Sequence, residues 1–301
     1  MRRLVECVPN FSEGRRKEVI EAIVEPFKNA NGVNLLDYSA DPDHNRMVVT
    51  AVGDPEAMAD VVFNAVRKAV ELINMEEHRG EHPRIGAADV IPFVPVSGIT
   101  MEECVELAHE LGKRINRELG IPVYFYEEAA LRPERKRLEV IRKGEYETLK
   151  HEIVKPDRQP DVGEPKMHPT AGATVVGARR PLVAFNINLG TDNVKVAKEI
   201  AKAIRASSGG FSSIKARGME LKERGIVQVS MNITDYKKNP IYRILEVVRM
   251  EARRWGVEVI GTEIIGLLPA DAIIDSAKYY MQIEGFNDNQ ILELRLLEMG
   301  G

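Results

Sequence analysis

The chain has 301 residues, 44% of them hydrophobic and 29% charged, so it can bury a sizeable core and is long enough for two domains. Its formal charge of −4 and the scattering of its 42 basic residues argue against a nucleic-acid-binding surface. The N-terminus lacks a signal-peptide pattern, no apolar run approaches the roughly 18 residues that cross a bilayer, and there are two cysteines, Cys7 and Cys104. We therefore expect a soluble, cytoplasmic protein with no disulfide framework and no membrane or nucleic-acid partner.

The first half of the chain alternates between strand-like and helix-like hydrophobic patterns. In chain order we predict a strand at 2–9, a helix at 16–29, strands at 32–39 and 46–53, a helix at 55–73, a strand at 89–96, a helix from 101 and a strand at 121–129. Asp54 before Pro55, and Thr100 three residues before Glu103, are N-cap signatures for two of these helices. The predicted order contains the split β-α-β-β-α-β arrangement.

The second half repeats a similar order. We predict strand structure in 173–189, a helix at 193–207, a hairpin at 213–233, a helix at 241–256 capped by Asn239-Pro240, a strand at 257–268 and terminal helices. The predicted fold class is α/β (α+β), with mixed sheets and helices in two tandem units that cover residues 1–180 and 181–301. The segment 154–174, rich in Pro, Gly and polar residues, is predicted to link the two units.

Asparagines recur on one side of two predicted strands. Asn186 and Asn188 alternate with apolar residues in AFNINL, and Asn232 does the same in VSMNIT. One interpretation is a sheet with one face in water, which is common for antiparallel sheets. The other is a face that closes over a polar ligand, because short neutral donors and acceptors suit such a site.

Two histidines, His78 and His82, stand four residues apart ahead of the strand at 89–96. On a helix this spacing would place both on one face, where they could bind a metal ion. Gly80 and Pro83 argue against a helix through both histidines, and no cluster of cysteines or carboxylates supplies a third ligand. We therefore predict no metal site.

His82 is instead a candidate general base. It lies between Glu81 and Pro83 in a loop that leads into a buried strand, and an imidazole titrates near neutral pH. From these residues alone, a solvated loop histidine remains the alternative. The glycines of the segment 172–179 have Walker spacing, but Ala-Arg stands where Lys-Ser/Thr would bind phosphate, so a phosphate loop is not predicted.

Four motifs, in order along essentially the whole chain, resemble the glutamate formimidoyltransferase family. They are LVECVPNFSEG at 4–14, HRGEHPRIGAADVIPFVPV at 78–96, GATVVGARRPLVAFNINL at 172–189 and QVSMNITD at 228–235. Members of this family are folate-dependent transferases of histidine breakdown, and in animals they are fused to a cyclodeaminase. The resemblance implies a stand-alone transferase with tetrahydrofolate as co-substrate, a homodimer, and two α/β subdomains with a ligand groove between them.

The resemblance also implies particular site residues. The family's catalytic histidine falls on His82. Animal relatives carry an acid at the position of Ser39, and here Asp37 and Asp41 are the candidates to stabilise a cationic formimidoyl group. The folate-binding segment of the family falls on Gly163, Glu164, Pro165, Lys166, Met167, His168, Pro169, Thr170, Ala171 and Gly172. The candidates to bind substrate carboxylates through bidentate pairs are Arg46, Arg84, Arg179 and Arg180.

The predicted reaction transfers a formimidoyl group between N-formimidoyl-L-glutamate and tetrahydrofolate, giving 5-formimidoyltetrahydrofolate and L-glutamate. Two alternatives keep the same scaffold. One is formyl transfer or cyclisation of 5-formyltetrahydrofolate, and the other is a folate-binding protein without turnover.

Overall fold

The computed structural model of the protein describes residues 2–299. The chain divides after Arg179 into two compact units, and each contains its own β-sheet and hydrophobic core. The predicted α/β class is confirmed: both units combine one sheet with several helices. None of the described helices is both long enough and apolar enough to cross a membrane.

The first unit is built on a seven-stranded sheet. Its strands are β1 (Leu4–Cys7), β2 (Asn10–Phe11), β3 (Val33–Asp41), β4 (Arg46–Gly53), β5 (Ala88–Ser97), β6 (Val123–Glu127) and β7 (Thr174–Ala178). Its helices are α1 (Lys17–Lys28), α2 (Pro55–Leu72), α3 (Met101–Leu119), α4 (Leu138–Ile141) and α5 (Glu145–Glu152). The predicted caps of α2 and α3 are confirmed, because the Asp54 side chain accepts the Glu56 and Ala57 amides and Thr100 forms a capping box with Glu103.

Strand order in this sheet places the start of β5 near its centre. β1 and β2 lie between β4 and β5 and pair antiparallel with both, and β3 pairs with β4. On the other side of β5, β7 and then β6 continue the sheet in parallel. The unit is therefore a split β-α-β-β-α-β arrangement extended by two parallel strands. Residues that precede β5 and β7 are brought to the same end of the sheet.

Apolar side chains cover both faces of this sheet. On one face α1, α2 and α3 bury a core that includes Phe11, Phe27 and Phe125. On the other face, beside β6 and β7, residues of α4 and α5 bury a smaller core that includes Tyr124 and Leu149. Apolar burial of this kind stabilises a fold by about 1.5–3 kcal/mol for each large side chain.

The segment predicted to be a linker, 154–174, is a loop packed within the first unit. The Val162 amide donates to the Val123 carbonyl at 3.1 Å, and the Ala173 amide donates to the Ile85 carbonyl at 3.0 Å. Its Pro and Gly content therefore serves tight turns on the surface of the unit, and the linker interpretation is wrong.

The second unit contains a four-stranded antiparallel sheet in the order β11-β8-β10-β9. Its strands are β8 (Val183–Leu189), β9 (Ile214–Leu221), β10 (Ile226–Ile233) and β11 (Val259–Ile265). Its helices are α6 (Val194–Ile204), α7 (Ile241–Arg253), α8 (Ala270–Met281) and α9 (Leu292–Met299). This is again the split β-α-β-β-α-β order, with α6 and α7 packed on the apolar face of the sheet.

Two local predictions need correction. The predicted strand region at 173–189 consists of two strands in different sheets, because β7 ends at Ala178 and β8 begins at Val183 after Pro181. The N-cap residue of α7 is Pro240, and the Asn239 side chain instead donates to the Ser213 hydroxyl. A proline has no side-chain oxygen, so this helix begins without a side-chain cap.

Candidate active site

The loop between α2 and β5 carries both histidines, and it is not helical. His78 is buried and has a structural position. Arg84 Nε donates to His78 Nδ1 at 3.2 Å, so the proton of the neutral ring is on Nε2, which donates to the Asn45 carbonyl at 2.9 Å. Burial lowers the pKa of His78, which favours this neutral form. His78 therefore joins this loop to the β3–β4 turn.

Arg84 is buried and already has acceptors for all five of its N–H groups. Besides its bond to His78 Nδ1, it donates to the His78 carbonyl, to Glu145 at 2.8 Å and twice to Glu147, at 2.8 and 2.6 Å. A substrate carboxylate could bind Arg84 only by replacing these partners. The candidate carboxylate-binding role of Arg84 is therefore not supported by its contacts, which anchor the loop to α5.

His82 is half-buried, and its tautomer can be assigned. Its Nδ1 lies 2.8 Å from the Pro83 carbonyl oxygen, which can only accept, so Nδ1 carries the proton and Nε2 keeps its lone pair. Burial, followed by the positive charges of Arg46 and Arg142, lowers the pKa of His82 to about 3. In the unliganded protein His82 is therefore a neutral imidazole at pH 7, with Nε2 able to accept a proton.

A buried charge cluster lies beside His82. Asp89 is completely buried; it accepts from Arg46 Nη1 at 2.7 Å and from Arg142 Nη2, and its other oxygen accepts the Ile85 amide at 2.9 Å. Burial opposes ionisation of Asp89, but the two guanidinium groups outweigh it and lower the pKa of Asp89. Burial also lowers the pKa of Arg46 to about 10, so Arg46 stays charged at neutral pH. Two cations and one anion leave a formal charge of +1.

The turn between β3 and β4 adds a second histidine and an acid. The rings of His44 and His82 are 5.8 Å apart in an edge-to-face arrangement, and His44 Nδ1 lies 3.2 Å from Asp41 Oδ2. Asp41 also accepts the amides of Asp43 and His44, so it shapes the turn as well. Asp37 and Ser39 are exposed on β3, opposite Thr50 and Val48 of β4. Of the two candidate acids, Asp41 is the one linked to His82 through His44.

The segment 163–172 packs against the His82 loop at its C-terminal end. The Thr170 carbonyl accepts the Met75 amide at 2.7 Å, and the Ala171 carbonyl accepts the Ala87 amide at 2.9 Å. His168 Nδ1 accepts the amides of Thr170 and Ala171, which closes the turn. Residues 163–166 are exposed. The structure therefore brings this segment and the loop of His82 together, although some 80 residues separate them.

Gly172→Ala should destabilise this junction more than an ordinary glycine substitution. Gly172 has φ +73°, and an added Cβ would overlap the Ile85 carbonyl oxygen. We expect the left-handed backbone to lower the free energy of unfolding by about 1–2 kcal/mol and the overlap to lower it by a further ~1–3 kcal/mol. Urea unfolding measures the change in the free energy of unfolding.

The matched control is Gly225→Ala, which has a similar φ of +60° but nothing within 4 Å of an added Cβ. Equal destabilisation by the two substitutions would show that the contact between Gly172 and Ile85 contributes nothing.

The two other candidate arginines lie elsewhere. Arg179 follows β7, and its amide donates to the Phe93 carbonyl at 2.9 Å. Since Phe93 is five residues beyond Ala88 on β5, Arg179 is roughly 16 Å along the strand from the end that the His82 loop enters. Arg180 is exposed at the start of the second unit, 3.7 Å from Asp235.

The asparagines form a polar cluster on one sheet face of the second unit. Asn186 and Asn188 are buried; Asn188 accepts from Gln228 at 2.9 Å, and Asn186 donates to Glu263 at 3.2 Å. Asn232 is exposed near the end of β10. Gln228 and Glu263 were not predicted, although Gln228 continues the alternation of β10.

Three residues of the first unit were also missed: His44, Asp89 and Arg142. His44 lies between the predicted strands at 32–39 and 46–53, outside any motif, and Arg142 also lies in a segment without a recognisable motif. An acid inside an apolar strand, as at Asp89, is a sequence signal for a buried ion pair. In the part of the chain that the structure describes, no group of three His, Cys, Asp or Glu side chains is placed to hold a metal ion.

Fold and site together define a two-sheet α/β protein in which a neutral loop histidine, its Nδ1 held by a backbone carbonyl, lies next to a buried cationic cluster. Residues 4–179 match the family model of the formiminotransferase domain, N-terminal subdomain, and residues 184–300 match the family model of the formiminotransferase domain. The chain belongs to the formiminotransferase family.

Curated relatives are close in sequence over most of this chain. A glutamate formimidoyltransferase of Streptococcus pyogenes serotype M1 is 53% identical over 298 residues, which is 99% of this chain and 100% of that protein. A glutamate formimidoyltransferase of Thermoplasma acidophilum is 50% identical over 295 residues, 97% of each chain. A formimidoyltransferase-cyclodeaminase of Gallus gallus is 46% identical over 290 residues, 94% of this chain and 53% of that longer protein.

Proposed function

We propose that this protein is a glutamate formimidoyltransferase with tetrahydrofolate as co-substrate. It would transfer the formimidoyl group of N-formimidoyl-L-glutamate to N5 of tetrahydrofolate, and release L-glutamate, in histidine degradation. The names of the two relatives that match over 100% and 97% of their length support this reaction. The structural observation that carries it is His82, whose Nε2 is free to accept a proton while Nδ1 is held by the Pro83 carbonyl.

In the proposed mechanism His82 moves one proton between two nitrogens. N5 of tetrahydrofolate attacks the formimidoyl carbon, and His82 Nε2 takes the proton that N5 loses. The C–N bond to glutamate then breaks, and His82 returns that proton to the departing amine. In the reverse direction His82 would deprotonate the glutamate ammonium. A carboxylate near the protonated formimidoyl nitrogen would stabilise its positive charge, and Asp41 or Asp37 is proposed for this role.

The folate is proposed to bind along the segment 163–172, which packs beside the His82 loop. Arg46 and Arg179 are proposed to bind carboxylates, with Arg179 suited by its distance to the far end of an elongated folate. Asn186, Asn188 and Asn232 are proposed to bind polar substrate groups. Because both substrates would be held in contact, proximity would supply much of the rate enhancement.

The test is to incubate the purified protein with N-formimidoyl-L-glutamate and tetrahydrofolate and to measure 5-formimidoyltetrahydrofolate and L-glutamate. We expect both products in equal amounts, and none without tetrahydrofolate. Turnover with N-formylglutamate but not with N-formimidoylglutamate would overturn the proposal in favour of formyl transfer. Folate binding without any turnover would favour a non-catalytic folate-binding protein.

A homodimer in the cytoplasm is proposed as the working state. β11 is an edge strand of the second sheet and exposes Ile260 and Ile265, and α8, the next helix in the chain, exposes Tyr279 and Met281. An exposed apolar edge strand favours pairing with another chain. We expect sedimentation equilibrium to give about twice the chain mass of 33.7 kDa. A mass of one chain at micromolar concentration would contradict the homodimer.

A further inference from the structure

We propose that Arg46, Asp89 and Arg142 form the subsite for the α-carboxylate of the amino-acid substrate, and that Arg142 is the residue that binds it. The proposal rests on the transferase function and deepens it, because it names the group that is recognised next to His82. It also assigns a substrate contact to Arg142, which lies in none of the motifs shared with the family.

The contacts of Arg142 are incomplete, and this distinguishes it from Arg84. Arg142 Nη2 donates to Asp89, but Nε is buried and has no acceptor among the described residues. No described residue accepts from Nη1 either, and the side chain as a whole is 12% exposed. Arg84, in contrast, uses all five N–H groups on acceptors within the protein. Since a buried donor without an acceptor is costly, a carboxylate at Arg142 would stabilise the cluster.

The charge of the cluster also favours an anion. Arg46 and Arg142 share the single carboxylate of Asp89, and both arginines are largely buried, with side chains 8% and 12% exposed. The formal charge of +1 is therefore only partly screened by solvent. One bound carboxylate would make the formal charge of the cluster zero. Buried charges are more stable when each is paired with an opposite charge.

The position of the cluster selects between two sources of a carboxylate. In N-formimidoylglutamate the reacting nitrogen is bonded to the α-carbon, which also carries a carboxylate. Only the α-carbon separates this nitrogen from the carboxyl carbon. A side chain that accepts a proton from the nitrogen is therefore close to the α-carboxylate. The carboxylates of the folate tail are separated from N5 by the aminobenzoyl group. Arg46 lies two residues from His44, whose ring is 5.8 Å from that of His82, and Asp89 accepts the Ile85 amide at 2.9 Å. The cluster therefore adjoins the His82 loop, and the α-carboxylate is the one that fits.

Carboxylate binding would also change His82. The groups that face His82 are the cations Arg46 and Arg142, the anion Asp89, the His44 ring and the Pro83 carbonyl. A further negative charge at the arginines would stabilise the imidazolium and raise the pKa of His82 from its low value towards neutrality. The amino-acid substrate would thus supply the charge that makes His82 a stronger proton acceptor.

The experiment compares Arg142→Met, Arg142→Lys and the control Arg137→Met with the wild type. Arg137 directly precedes α4 and Arg142 directly follows it. Arg137 forms an exposed pair with Glu139, so its loss should leave both KM values unchanged. For Arg142→Met we expect the KM for N-formimidoylglutamate to rise about 10–100-fold, with the KM for tetrahydrofolate unchanged. Arg142→Lys should recover part of this loss, because it keeps the charge but not the planar fork.

The pH profile of kcat/KM separates binding from a merely structural effect. This profile reports the pKa values of the free enzyme. Removing the cation at position 142 should raise the pKa of His82 and so shift the acidic limb of the profile to higher pH. A rise in the KM for tetrahydrofolate instead would assign the subsite to the folate tail. Unchanged KM values for both substrates and an unshifted acidic limb would overturn the proposal. Absence of turnover in the wild type would instead overturn the proposed function, and calorimetric titration of wild type and Arg142→Met with L-glutamate would still test the subsite.

Discussion

His82→Ala should lower kcat by about 10²–10⁴-fold, the range in which general acid–base catalysis contributes. The substitution removes the Nε2 lone pair that we propose to carry the proton between N5 and the glutamate amine. Folate binding should persist, because the loop is held by His78 and Arg84 and not by His82. Single-turnover kinetics would measure the chemical step, and a fluorescence titration would measure the Kd for a folate.

Two further histidine substitutions make this result interpretable. His151→Ala, on the exposed side of α5, should leave kcat, Kd and stability unchanged. His78→Ala should lower stability, because it removes the buried bond to the Asn45 carbonyl. If His82→Ala lost folate binding and stability together with activity, His82 would have a structural role and the proposed mechanism would be wrong.

Asp89→Ala should lower the free energy of unfolding by about 3–5 kcal/mol, the cost of breaking a buried ion pair by removing one partner. The substitution leaves Arg46 and Arg142 buried beside each other without their shared carboxylate, and it removes the acceptor of the Ile85 amide. Urea unfolding of the variant and the wild type at pH 7 measures the loss.

The control for this prediction is Asp60→Ala, because Asp60 forms an exposed pair with Arg114 and such pairs contribute about 0–1 kcal/mol. In the double variant Asp89→Ala/Arg142→Met the loss should be smaller than the sum of the two single losses, because one of the orphaned charges is gone. The pKa of Asp89 is lowered in the folded state, so its contribution is present above the usual Asp range and is lost as the pH falls into acid. A loss at pH 7 no larger than that of Asp60→Ala would contradict the burial of this charge.

The sequence by itself was enough for features that depend on neighbouring residues. The spacing of apolar residues predicted the mixed α/β class, and the caps at Asp54 and Thr100 were predicted from three or four residues. Gly80 and Pro83 excluded a helix through the two histidines. These features are decided by local backbone preference and periodicity, which the order of residues encodes directly. The assignment of His82 as the base came from family resemblance, since a lone loop histidine carries no local signal.

Only the tertiary structure decided the contacts between distant segments. The stretch 173–189, predicted as strand structure, continues the first sheet up to Ala178 and starts the second sheet at Val183. Arg46, Asp89 and Arg142 converge across separations of 43 and 53 residues. Strand order and register set these contacts, and no local pattern specifies either. For the same reason Arg84 and Arg142 look alike in the sequence, although in the fold one has all its acceptors and the other has an N–H group left for a ligand.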